Sequence, residues 1–173
     1  MIQMGTFHSI FLRILRVEAT AIGFKSNFTI YDDSDSRSLV TAIVKEMGLN
    51  DKTYKASTVL SRIGMAKNSL ITPEKYIADI RLAERDRQAK MPAIGEIYKM
   101  YANRCRTANA LDFDDMLLFT HQLFSQNTEI CEKYSARFAY ILVDEYQDTN
   151  FAQQSIVSLL TQHNRHVCVV GDD

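Results

Sequence analysis

Residues Tyr140–Asn150 read YILVDEYQDTN: an apolar run drops straight into Asp144 and Glu145, and Gln147 and Asp148 follow. Ile141, Leu142 and Val143 stand in succession with no polar alternation, the pattern of a parallel strand covered on both faces. Beyond it, Phe151 to Thr161 carries the spacing of a helix, and HVCVVGDD at 166–173 is a second apolar strand that ends in Gly-Asp-Asp. Strand, helix and strand within about 30 residues make a βαβ unit. Acids at the carboxyl ends of both strands lie where open α/β sheets take their ligands.

Upstream the chain reads as helical. Phe7, Ile10, Phe11, Ile14, Leu15 and Ala19 recur at spacings of three and four, which predicts a helix from Thr6 to Ala21. FTIYDD at 28–33 is a short extended piece. Asp33 or Ser34 caps a helix that runs to Met47 and is stopped by Gly48. Ser57 or Thr58 opens the next helix. Thr72-Pro73-Glu74 starts another, with proline at the first helical position where its missing N–H costs nothing. From there to Ala108 the chain is helix-compatible, with an interruption near Pro92. Asp112, Asp114 and Asp115 are placed to cap a helix that continues to Phe124.

The composition is that of an ordinary globular chain: 173 residues, 46% apolar and 24% charged, with two prolines and six glycines. Disordered and fibrous architectures are excluded on those grounds. Cys105, Cys131 and Cys168 have no paired spacing, which argues against a disulfide framework or a zinc site. No apolar run reaches membrane-spanning length and no leader pattern opens the chain, so a cytoplasmic protein is expected. Charge is distributed unevenly. Residues 20–110 hold 15 Lys/Arg against 10 Asp/Glu, a net of +5, whereas residues 111–173 hold 3 against 10, a net of −7. A basic module beside an acidic one suits contact with nucleic acid, although surface solubility alone can produce the same split.

Acids that follow a strand have two readings. They cap the next helix, a task that Asp148 or Asn150 can also perform. Alternatively they serve phosphate-transfer chemistry, in which one carboxylate holds magnesium and the next orients and deprotonates a water. His8, beside apolar Phe7, is on its own a semi-buried histidine, and Phe7 and Phe113 read as packing residues. Arg81, Arg85 and Arg87 read as a solvated helix face. His121, His163 and His166 show no ligand-like arrangement.

The full string DEYQDTN resembles the second motif of the superfamily 1 DNA helicases related to UvrD, Rep and PcrA. Three more stretches agree in the order that family requires. Gly5-Thr6-Phe7-His8-Ser9 resembles its TFHS segment, LDFDDMLL at 111–118 resembles its LDFDDLL segment, and VVGDD at 169–173 resembles the opening of its third motif. The resemblance implies an α/β fold in which a mostly helical subdomain is inserted into a truncated RecA-like P-loop NTPase sheet domain. Residues 1–20 and 111–173 would belong to the first motor domain and residues 21–110 to the insertion. It implies that Asp144 coordinates magnesium, that Glu145 is the general base and Gln147 part of the catalytic group, and that Asp148 and Asp172 couple nucleotide state to DNA. Thr6 and His8 match a segment that lies against single-stranded DNA. Lys67, Lys90, Arg104 and Arg106 are the phosphate contacts expected of the helical block.

The implied activity is ATP-dependent, 3′-to-5′ movement on single-stranded DNA with duplex unwinding, using ATP and Mg2+. The implied partners are single-stranded DNA, single/double-strand junctions and the remaining motor domains of the same polypeptide, with no membrane. A relative fused to a nuclease, of the RecB or AddA kind, and a DNA-binding module without a motor are the alternatives. No G-x-x-x-x-G-K-[ST] occurs in the sequence, so the chain is expected to be a piece of a longer protein, inactive on ATP and carrying no bound cofactor by itself.

Overall fold

The computed structural model describes residues 2–162 and 166–172. Along the chain these form α1 (Phe7–Glu18) with a 3-10 turn (Ala19–Ile22), β1 (Thr29–Ile30), α2 (Asp33–Glu46), α3 (Ala56–Asn68), α4 (Pro73–Ala78) and α5 (Ile80–Gln88). Next come α6 (Ile94–Thr107), β2 (Ala110–Leu111), α7 (Asp115–Gln126), α8 (Thr128–Arg137), β3 (Ile141–Val143), a second 3-10 turn (Tyr146–Asp148), α9 (Phe151–Thr161) and β4 (Val167–Val169). The fold is mostly helical with small parallel sheets. It divides into two compact units, one of Met1–Ser26 with Met116–Asp173 and one of Asn27–Asp115.

In the Asn27–Asp115 unit the local chemistry sets the helix starts. Asp32 accepts the Asp35 N–H while Asp35 accepts the Asp32 N–H, a reciprocal box that opens α2 one residue before the predicted cap. Thr72 caps α4 ahead of Pro73, as its sequence predicts. The chain breaks again at Asp79, which the sequence reading did not foresee. Its carboxylate accepts the N–H groups of Arg81 and Leu82 and so starts α5. Val40, Ile43, Val59, Ile63, Ile97 and Tyr98 meet in the core that these helices enclose. β1 and β2 pair in parallel, Thr29 with Ala110 and Ile30 with Leu111.

The same core holds a charged node. Lys67 is 1% exposed, with Nζ 2.5 Å from Asp112 Oδ2 and 2.8 Å from Asp115 Oδ1. Tyr101 donates its hydroxyl hydrogen to Asp112 and its oxygen is hydrogen-bonded with the Ser36 hydroxyl, and its ring faces the Lys67 ammonium. Lys67 is therefore no phosphate contact, which corrects the sequence expectation: a cation enclosed by two carboxylates has no path to a DNA backbone. Asp112 and Asp115 also cap α7 reciprocally through each other's backbone N–H. Arg85 is likewise more than a solvated residue, since it donates to the Tyr76 hydroxyl beside the buried Asp86. Phe113 is 59% exposed.

In the other unit α1 buries Phe11, Ile14 and Leu15, and α9 buries Ala152, Ile156, Val157 and Leu160. α8, absent from the sequence reading, buries Cys131, Tyr134 and Ser135. β3 and β4 pair in parallel with Ile141 against Val167 and Val143 against Val169. Cover on both faces is not what these strands have: Val143 is buried, but Leu142 is 71% exposed and all of β4 is exposed. Among the described residues no helix is long and apolar enough to cross a membrane.

Candidate functional site

The site is built at the carboxyl ends of β3 and β4. The ladder continues past the strands, because the Val170 N–H donates to the Val143 carbonyl and the Tyr146 N–H donates to the Val170 carbonyl. Between those two bonds lie Asp144 and Glu145. Glu145 takes a left-handed backbone (φ 50°, ψ 45°), a conformation that costs a non-glycine residue roughly 1–2 kcal/mol. Strain of this kind gathers at functional sites, where surrounding bonds hold it in place. Here the Asp148 N–H donates to the Glu145 carbonyl and the Glu145 N–H donates to Asp144 Oδ1, at 2.9 and 3.0 Å.

The capping reading of the acids falls on another residue. Asn150 accepts the Gln153 N–H, and Gln153 accepts the Asn150 N–H, so α9 has its cap without Asp144 or Glu145. Both acids are exposed, and among the described residues neither enters an ion pair. They line a groove of about 630 Å³ together with Thr6, His8, Asp148 and Thr149. Five of the residues singled out in the sequence thus converge on one concavity. Thr6 also has a structural task there: its hydroxyl oxygen accepts the Ser9 N–H and caps α1. His8 is half-buried beside Phe7, whose ring packs on Phe11.

Gln147 joins this set through bonds. Its amide Nε2 donates to Glu145 Oε2 at 2.5 Å, and its Oε1 accepts the Asp172 N–H at 3.3 Å. Asp172 is thereby tied to the second motif by its backbone. Asp173 and His163 lie outside the described residues. His166 stacks on Tyr140, with ring centroids 4.7 Å apart, and so packs at the strand's entry.

Of the other expected DNA contacts, Lys90 is exposed at the end of α5 in a left-handed conformation and Arg106 is exposed on α6. Arg104 is partly exposed and paired with Glu46. These three sit in the Asn27–Asp115 unit. Sequence reasoning missed Gly171: a β-carbon there would lie 2.3 Å from Gln147 Oε1. The signal was present in the Gly-Asp pair, but nothing in the sequence says which side chain fills the space.

Among the described residues no group of three or more His, Cys, Asp or Glu side chains could hold a metal. A single exposed carboxylate such as Asp144 still suits magnesium, a hard cation that takes one or two protein carboxylates and completes its shell with water and phosphate oxygens.

Known proteins give this geometry a family. A family model described as the UvrD/REP helicase N-terminal domain matches residues 1–173. The ATP-dependent DNA helicase PcrA of Leuconostoc citreum is 37% identical over 171 residues, which is 99% of this chain and 22% of that protein. The proteins of the same name from Staphylococcus epidermidis and Staphylococcus aureus (strain Mu50 / ATCC 700699) are 40% and 39% identical, again over 99% of this chain and 23% of theirs. The chain spans less than a quarter of the length of these relatives. Matched from one end to the other, the chain belongs to the UvrD/REP helicase N-terminal domain family.

Proposed function

We propose that the chain supplies the magnesium-holding and water-activating carboxylates of an ATP-dependent DNA helicase, within a RecA-like P-loop motor domain interrupted by the Asn27–Asp115 unit. The observation that carries the reading is the shared groove of Thr6, His8, Asp144, Glu145 and Asp148. Bound ATP with Mg2+ would supply the γ-phosphate and the cation that neutralises its charge. Asp144 would hold that cation through one carboxylate oxygen or a bound water. Glu145 would orient the attacking water and take its proton, a role for which an exposed carboxylate on a held backbone is suited. Asp148 and Asp172, close to both strand tips, would pass the nucleotide state toward Thr6 and His8 and the single strand lying on them. Movement from 3′ to 5′ is carried over from the family resemblance.

The phosphate-binding loop is supplied elsewhere in the polypeptide, and the isolated chain is expected to turn over no ATP. In the longer protein, Glu145→Gln is expected to lower DNA-stimulated ATP hydrolysis by ~100-fold or more, with nucleotide binding retained. Turnover within a few fold of the unaltered protein would overturn the assignment. ATP turnover by the purified 173-residue chain that Glu145→Gln abolishes would instead overturn the expectation that the chain alone is inactive.

A further inference from the structure

We propose that the Leu111–Asp115 segment is a seated joint: Gly64, Lys67 and Asn68 of α3 fix the place of the turn from which α7 starts, and hold Phe113 in one direction. The proposal goes beyond the strand-tip groove and does not depend on the reading of Asp144 and Glu145.

A comparison of two helix starts carries it. α2 and α7 open on the same reciprocal box of two aspartates three residues apart, and the bonds match. The Asp35 N–H donates to Asp32 Oδ1 and the Asp115 N–H to Asp112 Oδ1 at 2.8 Å, with the return bonds at 3.1 Å in both. At α2 both acids are exposed, and among the described residues neither enters an ion pair. The box with water around it is therefore enough to start a helix. At α7 the same box is buried, and each carboxylate sets its second oxygen on the Lys67 ammonium. Capping alone does not call for that cation.

Asp114 extends the grip. Its Oδ1 accepts a hydrogen of the Asn68 amide at 2.9 Å, and the same Nδ2 donates to the Gly64 carbonyl one turn back. Its Oδ2 lies only 2.7 Å from where a β-carbon on residue 64 would stand. Glycine inside a helix is disfavoured; here its bareness admits the carboxylate. Gly64, Lys67 and Asn68 recur at spacings of three and four and so share one face of α3, and that face receives all three acids of the segment. Phe113, between two gripped acids, is 59% exposed. The Asn27–Asp115 unit ends at this joint, and α7 runs on from Asp115 with Leu117, Leu118 and Leu123 buried. The origin of α7 and the direction of Phe113 are thus set by a helix some 45 residues earlier in the chain.

Amide hydrogen exchange followed by NMR in the 173-residue chain tests the joint, with the Asp35 N–H as internal standard because it belongs to the twin box of the same unit. Asn68→Ala and Asp114→Ala are each expected to speed exchange at Asp115 by roughly tenfold and to leave Asp35 unchanged. The double variant is expected to add little, as for two changes that break one interaction. Equal acceleration at both amides would show a unit that has merely lost stability, and no acceleration at Asp115 would show a box that stands without its seat; either result overturns the proposal. Gly64→Ala is expected to act as Asn68→Ala does while Asp114 is present and to have no such effect beside Asp114→Ala. Should Gly64→Ala fail to fold, the other two variants keep the test. The chain contains no tryptophan, so Phe113→Trp supplies a single reporter. Its time-resolved fluorescence anisotropy is expected to follow the tumbling of the chain and to gain a fast component on Asn68→Ala. A tryptophan already loose when α3 is unaltered sinks the claim on Phe113.

Discussion

Lys67 is a cation inside a core, and its two carboxylates decide its behaviour. Burial works against the charge, but Asp112 and Asp115 outweigh it and hold the lysine pKa well above its usual value. Burial also pushes against Asp112, yet the Lys67 charge and hydrogen bond win and keep that carboxyl below the ordinary range. Asp115 goes the other way: burial, then the Asp112 charge, push it up to about 7. Truncating Lys67 to Met would leave two acids buried without their cation, and we expect a loss of about 3–5 kcal/mol in urea unfolding. Asp115 binds its proton more tightly folded than unfolded. Its contribution to stability is thus fully present below the unfolded carboxylate value near pH 4 and disappears as pH rises through about 7. The unaltered chain should lose stability between about pH 4 and 7, and Asp115→Asn should flatten that dependence; a dependence that survives the substitution would show that another group carries it. Lys67 looked like a surface lysine because the sequence shows a charge in a helix and not the two acids some 45 residues away in the chain that meet it.

At the scale of elements, legibility followed capping chemistry. Thr6, Thr72-Pro73, Asp112 and Asn150 announce helices through a side-chain oxygen that must satisfy a backbone N–H, and the structure uses each in that way. α8 gave no such sign, because Asn127 makes no side-chain cap and the helix is held by Cys131, Tyr134 and Ser135 packing inward. The β1–β2 pair was hidden for a different reason: two residues carry no period, and their partners are far apart in sequence. The site strands were read correctly as a parallel βαβ pair, but their exposed faces were not, since an apolar run records what a strand can be packed against and not what the chain itself supplies. Asn150→Ala removes the side-chain acceptor of the Gln153 N–H, one half of the box on α9, and is expected to cost about 1 kcal/mol in urea unfolding. A loss below a few tenths would mean that packing by Ile156 and Leu160 alone fixes the start of that helix.

For the whole molecule the uneven charge matters most. Residues 20–110 keep a net of +5, but the Lys67 charge is spent inside the core and Arg104 is paired with Glu46. Of the contacts expected from the sequence, Lys90 and Arg106 are exposed. Fluorescence anisotropy at about 20 mM salt should show sequence-independent binding of duplex or junction DNA with a micromolar or weaker constant, lost by ~200 mM. Lys90→Ala with Arg106→Ala should weaken it and flatten its salt slope, whereas equal binding by that variant would place the contact elsewhere.

The parallel pairing of Thr29–Ile30 with Ala110–Leu111 carries one more consequence. A detour of roughly eighty residues leaves and returns within a single strand spacing of about 4.8 Å. Closing so long an excursion as slack chain would cost roughly 2–3 kcal/mol more entropy than a short turn, and the stem removes that charge from whatever lies on either side of it. Length between the two stem strands is therefore nearly invisible to the flanking sequence. Helices can be gained, lost or exchanged there while Asp144 and Glu145 keep their place.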